Sequence, residues 1–147
     1  MMEPTVLVVD DSPTVRKIVQ MTLQRERIRV ITAGDGLSAL SSVADEMPAL
    51  ILLDIQLPRM DGYQICQIVR KNLQFRQIPI IMLSGKDGLF DKMRGRLAGS
   101  TEYLTKPFDS VELVQTVKKH LANWQERAHA RNEQLGGMRQ PRMRYRS

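Results

Sequence analysis

Acidic, hydroxyl and basic side chains stand at the ends of four apolar segments of this sequence. The run VLVV leads into the adjacent pair Asp10 and Asp11, and ALILLD ends in Asp54. Ser84 closes IPIIMLS, and Lys106 closes TEYLTK. Adjacent carboxylates repel each other, and burying them costs several kcal/mol unless something compensates. The aspartate pair therefore predicts either a solvated turn or a cation site.

The five residues together indicate phosphate chemistry. Three carboxylates suit Mg²⁺, a hard cation that binds oxygen ligands and retains several waters. A lysine and a hydroxyl on the other side could bind further phosphate oxygens. A carboxylate can act as a nucleophile and form an aspartyl-phosphate, in a reaction catalysed mainly by positioning and charge neutralisation. The set predicts phosphoryl transfer to Asp54, provided that the fold brings these side chains together.

The elements that must position these residues alternate between strand and helix five times. Short runs rich in branched apolar residues predict strands: TVLVV, IRVITA, ALILLDI, IPIIMLS and TEYLTK. Helical apolar spacing predicts helices from Pro13 to about Gln24, Asp35 to about Glu46, Asp61 to about Asn72, Asp87 to Leu97, and from Asp109 onward. This alternation predicts a doubly wound α/β fold with a parallel sheet and helices on both faces. In such folds functional residues gather at the carboxyl ends of the strands, where the residues above stand.

Length and charge predict one domain followed by a basic tail. The 147 residues suit one domain, predicted over 1–122, and a tail over 123–147. We expect 122–133 to extend the last helix and 134–147 to be disordered. Residues 125–147 hold six arginines and two acids, whereas residues 1–124 hold 16 basic and 14 acidic residues. The basic charge therefore belongs mostly to the tail. Three roles fit such a tail: a solvated extension, which we favour, attraction to an anionic membrane, or binding to an acidic partner.

Composition also excludes several classes of protein. No apolar run approaches the ~20 residues that span a bilayer, and the N-terminus lacks a signal-peptide pattern. The single cysteine, Cys66, has no second cysteine for an internal disulfide and fits a packing role in a reducing compartment. No second folded module offers a recognition helix, so specific DNA binding is not expected. The sequence predicts a soluble, cytoplasmic protein.

The chemical residues, in this order, resemble the receiver domain of bacterial two-component response regulators. The resemblance covers roughly residues 4–122 and includes LPRMDGY at 57–63. It implies the flavodoxin-like (βα)5 fold, with a five-stranded sheet in the order 2-1-3-4-5. It implies that Asp54 accepts a phosphoryl group from a histidine kinase and that the protein is not an enzyme in the usual sense, because it catalyses only its own phosphoryl transfer and hydrolysis. For the metal, it implies Asp11, Asp54 and the Gln56 carbonyl as direct Mg²⁺ ligands, and Asp10 as a ligand through water. For the phosphoryl group, it implies that Lys106 binds a phosphoryl oxygen, that Ser84 moves to hydrogen-bond the phosphate, and that the Tyr103 side chain follows this movement. It also implies a cis peptide at Lys106–Pro107.

A narrower resemblance lies in SGKDGLFDKMRGRLAGSTEYLTKPF, residues 84–108. This stretch is similar to the PilG-like group of chemotaxis-type regulators of type IV pilus twitching motility. It implies a stand-alone regulator, a CheA-like kinase as the phosphodonor, and a downstream motility or signalling protein that binds residues 87–108 and the last helix.

Simpler interpretations of each residue remain open. Asp10 and Asp11 could form only a helix-capping turn, Ser84 could be a loop serine, and Tyr103 a packed aromatic residue. Two other functions also fit in part. A haloacid dehalogenase-type phosphatase uses a strand-end aspartate and Mg²⁺, but typically in a DxD arrangement on its first strand. An interaction module that ignores phosphate would retain the fold and would not need the five residues.

Overall fold

The computed structural model describes the backbone of residues 3–85 and 89–135, and the side chains of residues 3–85 and 91–125. Strands and helices alternate along the chain: β1 (Thr5–Val9), α1 (Pro13–Gln24), β2 (Arg29–Ala33), α2 (Gly36–Glu46), β3 (Leu50–Asp54), α3 (Gly62–Lys71), β4 (Ile80–Ser84), α4 (Leu89–Ala98), β5 (Glu102–Thr105) and α5 (Ser110–Leu135). The predicted cap Asp87 and the tail beyond residue 135 lie outside the described residues. None of the helices in the described ranges is long and apolar enough to cross a membrane.

The five strands form one parallel sheet in the order β2-β1-β3-β4-β5. This order and the flanking helices confirm the predicted doubly wound α/β fold. The three central strands are buried on both faces, as near-continuous apolar runs predict.

The side chains of the strands alternate between two apolar layers. One layer packs against α2, α3 and the end of α4, and includes Leu7, Val9, Ile51, Leu53, Ile80 and Met82. The other packs against α1 and α5, and includes Val6, Val8, Leu50, Leu52, Ile81 and Leu83. Because successive strand residues point to opposite faces, each strand joins both layers and ends at the same edge of the sheet.

The helix starts follow capping signals in the sequence. Ser12 caps α1, with Pro13 in its first turn, and Asp35 caps α2. Asp61 caps α3 in a reciprocal capping box with Gln64. The Asp109 carboxylate accepts a hydrogen bond from the Glu112 amide at the start of α5.

Several apolar residues that stand at helical spacing, where a buried face is expected, are exposed instead. Ile18 is 58% exposed and Leu37 is 69% exposed, whereas Val19 and Ala39 are buried. Ile18 is one position from the buried Val19, and Leu37 is two positions from the buried Ala39. One position turns the side chain by about 100° around the helix, so the buried face of each helix is narrower than its apolar residues indicate. The last helix, in contrast, continues to Leu135, two residues beyond the predicted extension.

Candidate functional site

Three aspartates meet at the carboxyl edge of the sheet. Asp10 follows β1, Asp11 lies in the turn before α1, and Asp54 is the last residue of β3. One carboxylate oxygen from each lies within 4.8 Å of the others. Asp10 is 1% exposed and Asp54 is 5% exposed, whereas Asp11 is exposed to solvent. The site therefore combines two desolvated carboxylates with one that faces water.

The oxygens of Asp10 accept three hydrogen bonds. One carboxylate oxygen, Oδ1, accepts the Ser12 amide at 2.9 Å, and the other, Oδ2, accepts the Lys106 ammonium at 2.8 Å. The Asp10 carbonyl accepts a bond from the Arg16 guanidinium at 2.6 Å. Asp10 thus has a turn-forming role beside its place in the acidic cluster.

Among the described residues, Lys106 is the lysine whose ammonium group contacts these aspartates. Its Nζ atom is 2.8 Å from Asp10 Oδ2 and 3.6 Å from Asp54 Oδ1. Strands β1 and β5 are three strand spacings apart, about 14 Å, so the long Lys106 side chain must extend along the sheet edge towards β1 for this contact. The Lys106 amide donates to the Ser84 carbonyl at 2.6 Å, and the Lys106–Pro107 peptide is cis, as the resemblance implies.

The electrostatics of Asp54 favour a compensating cation. Burial raises the pKa of Asp54, and the neighbouring Asp10 carboxylate raises it further. Lys106 and the Gln56 amide, which donates to Asp54 Oδ1 at 3.2 Å, lower the pKa of Asp54 in part. Mg²⁺ favours carboxylate oxygens, so the cluster Asp10, Asp11 and Asp54 fits such an ion in donor type and number.

The loop from Gln56 to Asp61 returns to the end of β3 through Gly62. The Gly62 amide donates to the Ile55 carbonyl at 2.8 Å. A Cβ atom at Gly62 would lie 2.6 Å from the Asp54 carbonyl oxygen and 2.9 Å from Ile55 Cα. Only glycine fits this approach without a shift of the backbone, so Gly62 lets the loop pack closely against the end of β3.

The other predicted residues lie at or near the same edge. Ser84 ends β4 and is buried beside the strand that carries Asp54. Tyr103 lies on β5, half-buried against the layer of α2, α3 and α4. The Gln56 side chain is exposed two residues after Asp54. The structure thus brings Asp10, Asp11, Asp54 and Lys106 into direct proximity and places Ser84 on the adjacent strand.

Three contacts near the site or its flank involve residues to which the sequence assigned no role. Arg16 binds the Asp10 carbonyl. Arg94 of α4 stacks 4.3 Å from the centre of the Tyr63 ring. His120, given no partner from the sequence, lies 2.6 Å from a Glu102 carboxylate oxygen. No spacing signal links these partners, because each contact joins elements whose packing is decided by the tertiary fold.

Comparison with known proteins identifies the family. Residues 6–118 match the family described as the response regulator receiver domain. The chain is 48% identical to Protein PilG of Pseudomonas aeruginosa over 119 residues, which cover 81% of this chain and 88% of PilG.

Solved structures of response regulators share the fold of this chain. The chemotaxis protein CheY4 of Vibrio cholerae matches with a TM-score of 0.77 at 34% identity, over 80% of this chain and 98% of that one. A putative response regulator from Chloroflexus aurantiacus matches with a TM-score of 0.78 at 36% identity, over 82% of this chain and 98% of that one. Family match, PilG identity and shared fold lead to one conclusion: this chain belongs to the response regulator receiver domain family.

Proposed function

We propose that this protein is a PilG-type response regulator that accepts a phosphoryl group on Asp54 from a CheA-like histidine kinase. Receiver domains are signalling domains, not conventional enzymes, and they bind Mg²⁺ at an acidic pocket. The observation that carries the proposal is the placement of Asp54. Its buried carboxylate lies within 4.8 Å of two other carboxylates and 3.6 Å from the Lys106 ammonium. A desolvated carboxylate between a cation site and a lysine is suited to attack a phosphoryl group.

The transfer is a displacement at phosphorus. An Asp54 carboxylate oxygen forms the new O–P bond while the P–N bond of the kinase phosphohistidine breaks. The electron pair of that bond stays on the imidazole nitrogen. Lys106 compensates part of the negative charge that arrives with the phosphoryl oxygens. The slow hydrolysis that we also propose attaches water to phosphorus and returns the Asp54 carboxylate.

In this proposal two of the aspartates bind Mg²⁺ directly and the third binds it through water. We assign Asp11 and Asp54 as direct Mg²⁺ ligands, with the Gln56 backbone carbonyl as a third protein ligand. Both carboxylate oxygens of Asp10 already accept hydrogen bonds, which supports a contact through water instead. When bound, Mg²⁺ neutralises the carboxylates and the phosphoryl oxygens.

Ser84 and Tyr103 carry the change to the output surface. Ser84 ends the strand adjacent to Asp54, and its carbonyl accepts the Lys106 amide. A phosphate on Asp54 gives the Ser84 hydroxyl a new acceptor, and Tyr103, two residues before the register partner of Ser84, follows that movement. We propose that the shift biases residues 87–108 and the last helix between two arrangements, one of which binds a downstream protein. The 48% identity to PilG, together with the resemblance of residues 84–108 to regulators of twitching motility, supports type IV pilus motility as the output.

The first experiment measures phosphorylation. The protein is incubated with acetyl phosphate and MgCl₂, and intact mass is recorded for wild type, Asp54→Asn and the exposed control Asp45→Asn. We expect one phosphoryl adduct on wild type and on Asp45→Asn, and none on Asp54→Asn. Absence of the adduct on wild type, or its retention on Asp54→Asn, contradicts the proposal. Repeated turnover of phosphate monoesters would favour a haloacid dehalogenase-type phosphatase instead.

The second experiment tests the output. The gene is deleted in its host, and wild type, Asp54→Asn or Asp45→Asn is supplied in its place. We expect twitching motility to require Asp54 and to tolerate Asp45→Asn. Normal motility with Asp54→Asn would favour an interaction module that ignores phosphate. Normal motility in the deletion strain itself, with the adduct present on wild type, would separate the phosphorylation from the pilus output.

A further inference from the structure

Arg16 of α1 reaches back over the turn that carries the acidic pair. Its guanidinium Nη1 donates to the Asp10 carbonyl at 2.6 Å, across six residues of chain. The Arg16 amide donates to the Ser12 carbonyl at 3.0 Å, within the first turn of the helix. The amide bond is an ordinary helix bond, so the guanidinium bond to Asp10 is what the arginine side chain adds to the turn. Asp11 follows the carbonyl that the guanidinium binds, so the position of its backbone depends on this contact.

Gly34, in the loop after β2, leaves the space that the guanidinium occupies. A Cβ atom at Gly34 would lie 3.0 Å from Arg16 Nη1, 3.6 Å from Cζ and 3.9 Å from Nη2. The preceding residue, Ala33, accepts the Asp10 amide at 3.1 Å. The guanidinium thus lies between the Asp10 turn and the loop after β2, and a side chain at Gly34 would require it to shift by a few tenths of an ångström.

We propose that Arg16 is a positioning residue for the acidic cluster, with Gly34 as the residue that makes room for it. The inference rests on the proposed function, because it assigns Arg16 to the Mg²⁺ site described there. The Asp11 carboxylate is exposed, so its direction is set by the backbone of the turn and not by surrounding side chains. Fixing the Asp10 carbonyl fixes the orientation of the Asp10–Asp11 peptide. The guanidinium also brings a positive charge to the backbone of Asp10.

The direct measurement is the affinity for Mg²⁺, by isothermal titration calorimetry with MgCl₂. We expect Arg16→Met to weaken binding about tenfold, the lower end of the effect seen when groups that orient metal ligands are removed. Arg16→Lys, which retains the charge and one donor, should recover part of that loss. Lys17→Met removes the same charge from the next, exposed position and should bind Mg²⁺ as wild type does. Equal weakening by Lys17→Met would reduce the effect to general electrostatics and overturn the assignment.

A kinetic measurement separates positioning from stability. Phosphorylation by acetyl phosphate is followed as a function of MgCl₂ concentration. For Arg16→Met we expect the half-maximal MgCl₂ concentration to rise about tenfold, while the rate at saturating MgCl₂ remains within about twofold of wild type. An arginine that only stabilises the fold would lower the unfolding midpoint and leave the Mg²⁺ affinity of the folded protein unchanged. That result overturns the proposal.

Gly34→Ala tests the same contact from the opposite side. The new methyl group should shift the guanidinium by a few tenths of an ångström and weaken Mg²⁺ binding less than Arg16→Met does. The double variant Gly34→Ala/Arg16→Met has no guanidinium for the new methyl group to push. Its Mg²⁺ affinity should therefore match that of Arg16→Met within about twofold. Fully additive losses overturn the proposal. If wild type itself neither binds Mg²⁺ nor forms the adduct, the proposed function fails; if wild type does both and Arg16→Met equals it, only this inference fails.

Discussion

Replacing Lys106 by methionine should destabilise the Mg²⁺-free protein far more than an ordinary surface lysine would. The Lys106 ammonium is 2.8 Å from an Asp10 oxygen and 3.6 Å from an Asp54 oxygen. Both carboxylates are almost completely buried. Methionine has a similar length and no charge, so the substitution removes the cation and leaves two desolvated carboxylates facing each other.

The contacts set the size of the effect. At an effective dielectric constant of 20, the 2.8 Å and 3.6 Å contacts correspond to about 6 and about 4.6 kcal/mol of attraction. Hydration of the 27% exposed lysine side chain offsets part of this attraction. Removing one partner of a buried pair costs about 3–5 kcal/mol. Because Lys106 is partly hydrated, we expect a loss of about 3 kcal/mol near neutral pH, at the lower end of that range.

Urea unfolding followed by circular dichroism measures this loss as a change in the free energy of unfolding. Lys119→Met is the matched control, because its ammonium is 64% exposed and lies 3.6 Å from Glu102; an exposed pair contributes about 0–1 kcal/mol. Saturating MgCl₂ should recover part of the Lys106→Met loss, because the bound cation replaces the missing positive charge.

The pH dependence provides the refuting result. Without Lys106 the pKa of Asp54 rises further, so its ionised form opposes folding above that pKa. The Lys106→Met loss should therefore shrink as the pH falls through the carboxyl range. Asp10→Asn added to Lys106→Met should also reduce the loss. A loss no larger than that of Lys119→Met, or one that is independent of pH, would refute the electrostatic reasoning.

Three further predictions concern the same core and site. Gly62→Ala should lower the free energy of unfolding by about 1–3 kcal/mol, because a Cβ there would lie 2.6 Å from the Asp54 carbonyl oxygen. The control is Gly85→Ala, whose Cβ meets nothing within 4 Å. Equal effects of the two substitutions in urea unfolding would contradict the steric argument. Burial raises the pKa of Asp54, so in Mg²⁺-free buffer Asp54→Asn should be more stable than wild type near neutral pH and should lose this advantage below the unfolded-state pKa of about 3.9; a constant advantage across a pH series of urea unfolding curves would contradict it. Burial also raises the pKa of the Cys66 thiol to about 11, so iodoacetamide should label Cys66 slowly in native protein and rapidly in urea, and rapid native labelling detected by mass would count against the buried position.

Much of the fold could be predicted because its signals are local. Apolar runs of strand length and helical spacing lie next to one another along the chain, and caps such as Ser12, Asp35 and Asp61 are read from single residues and their neighbours. The alternation of strand and helix then restricts the topology, since crossovers between parallel strands are right-handed. Element existence and order followed from these signals, whereas strand ends differed by one or two residues.

Burial of individual helix positions was less predictable. Ile18 and Leu37 are apolar and stand at helical spacing, yet more than half of each side chain is exposed. Whether such a residue is covered depends on which neighbour packs over that side of the helix. That neighbour comes from a distant part of the chain, so local periodicity does not contain the information.

The residue types at the strand ends were determined by the sequence alone. Asp10, Asp11, Asp54 and Lys106 could be recognised as a set, because parallel strands end at one edge and three carboxylates beside a lysine suit a cation and a phosphoryl group. Only the tertiary structure decided how close they are. The Lys106 side chain reaches to 2.8 Å from Asp10, although β1 and β5 are about 14 Å apart in the sheet. Packing of α1 against the loop after β2 places Arg16 against Gly34. Distances of this kind depend on the simultaneous packing of several elements, and no local pattern of residues encodes them.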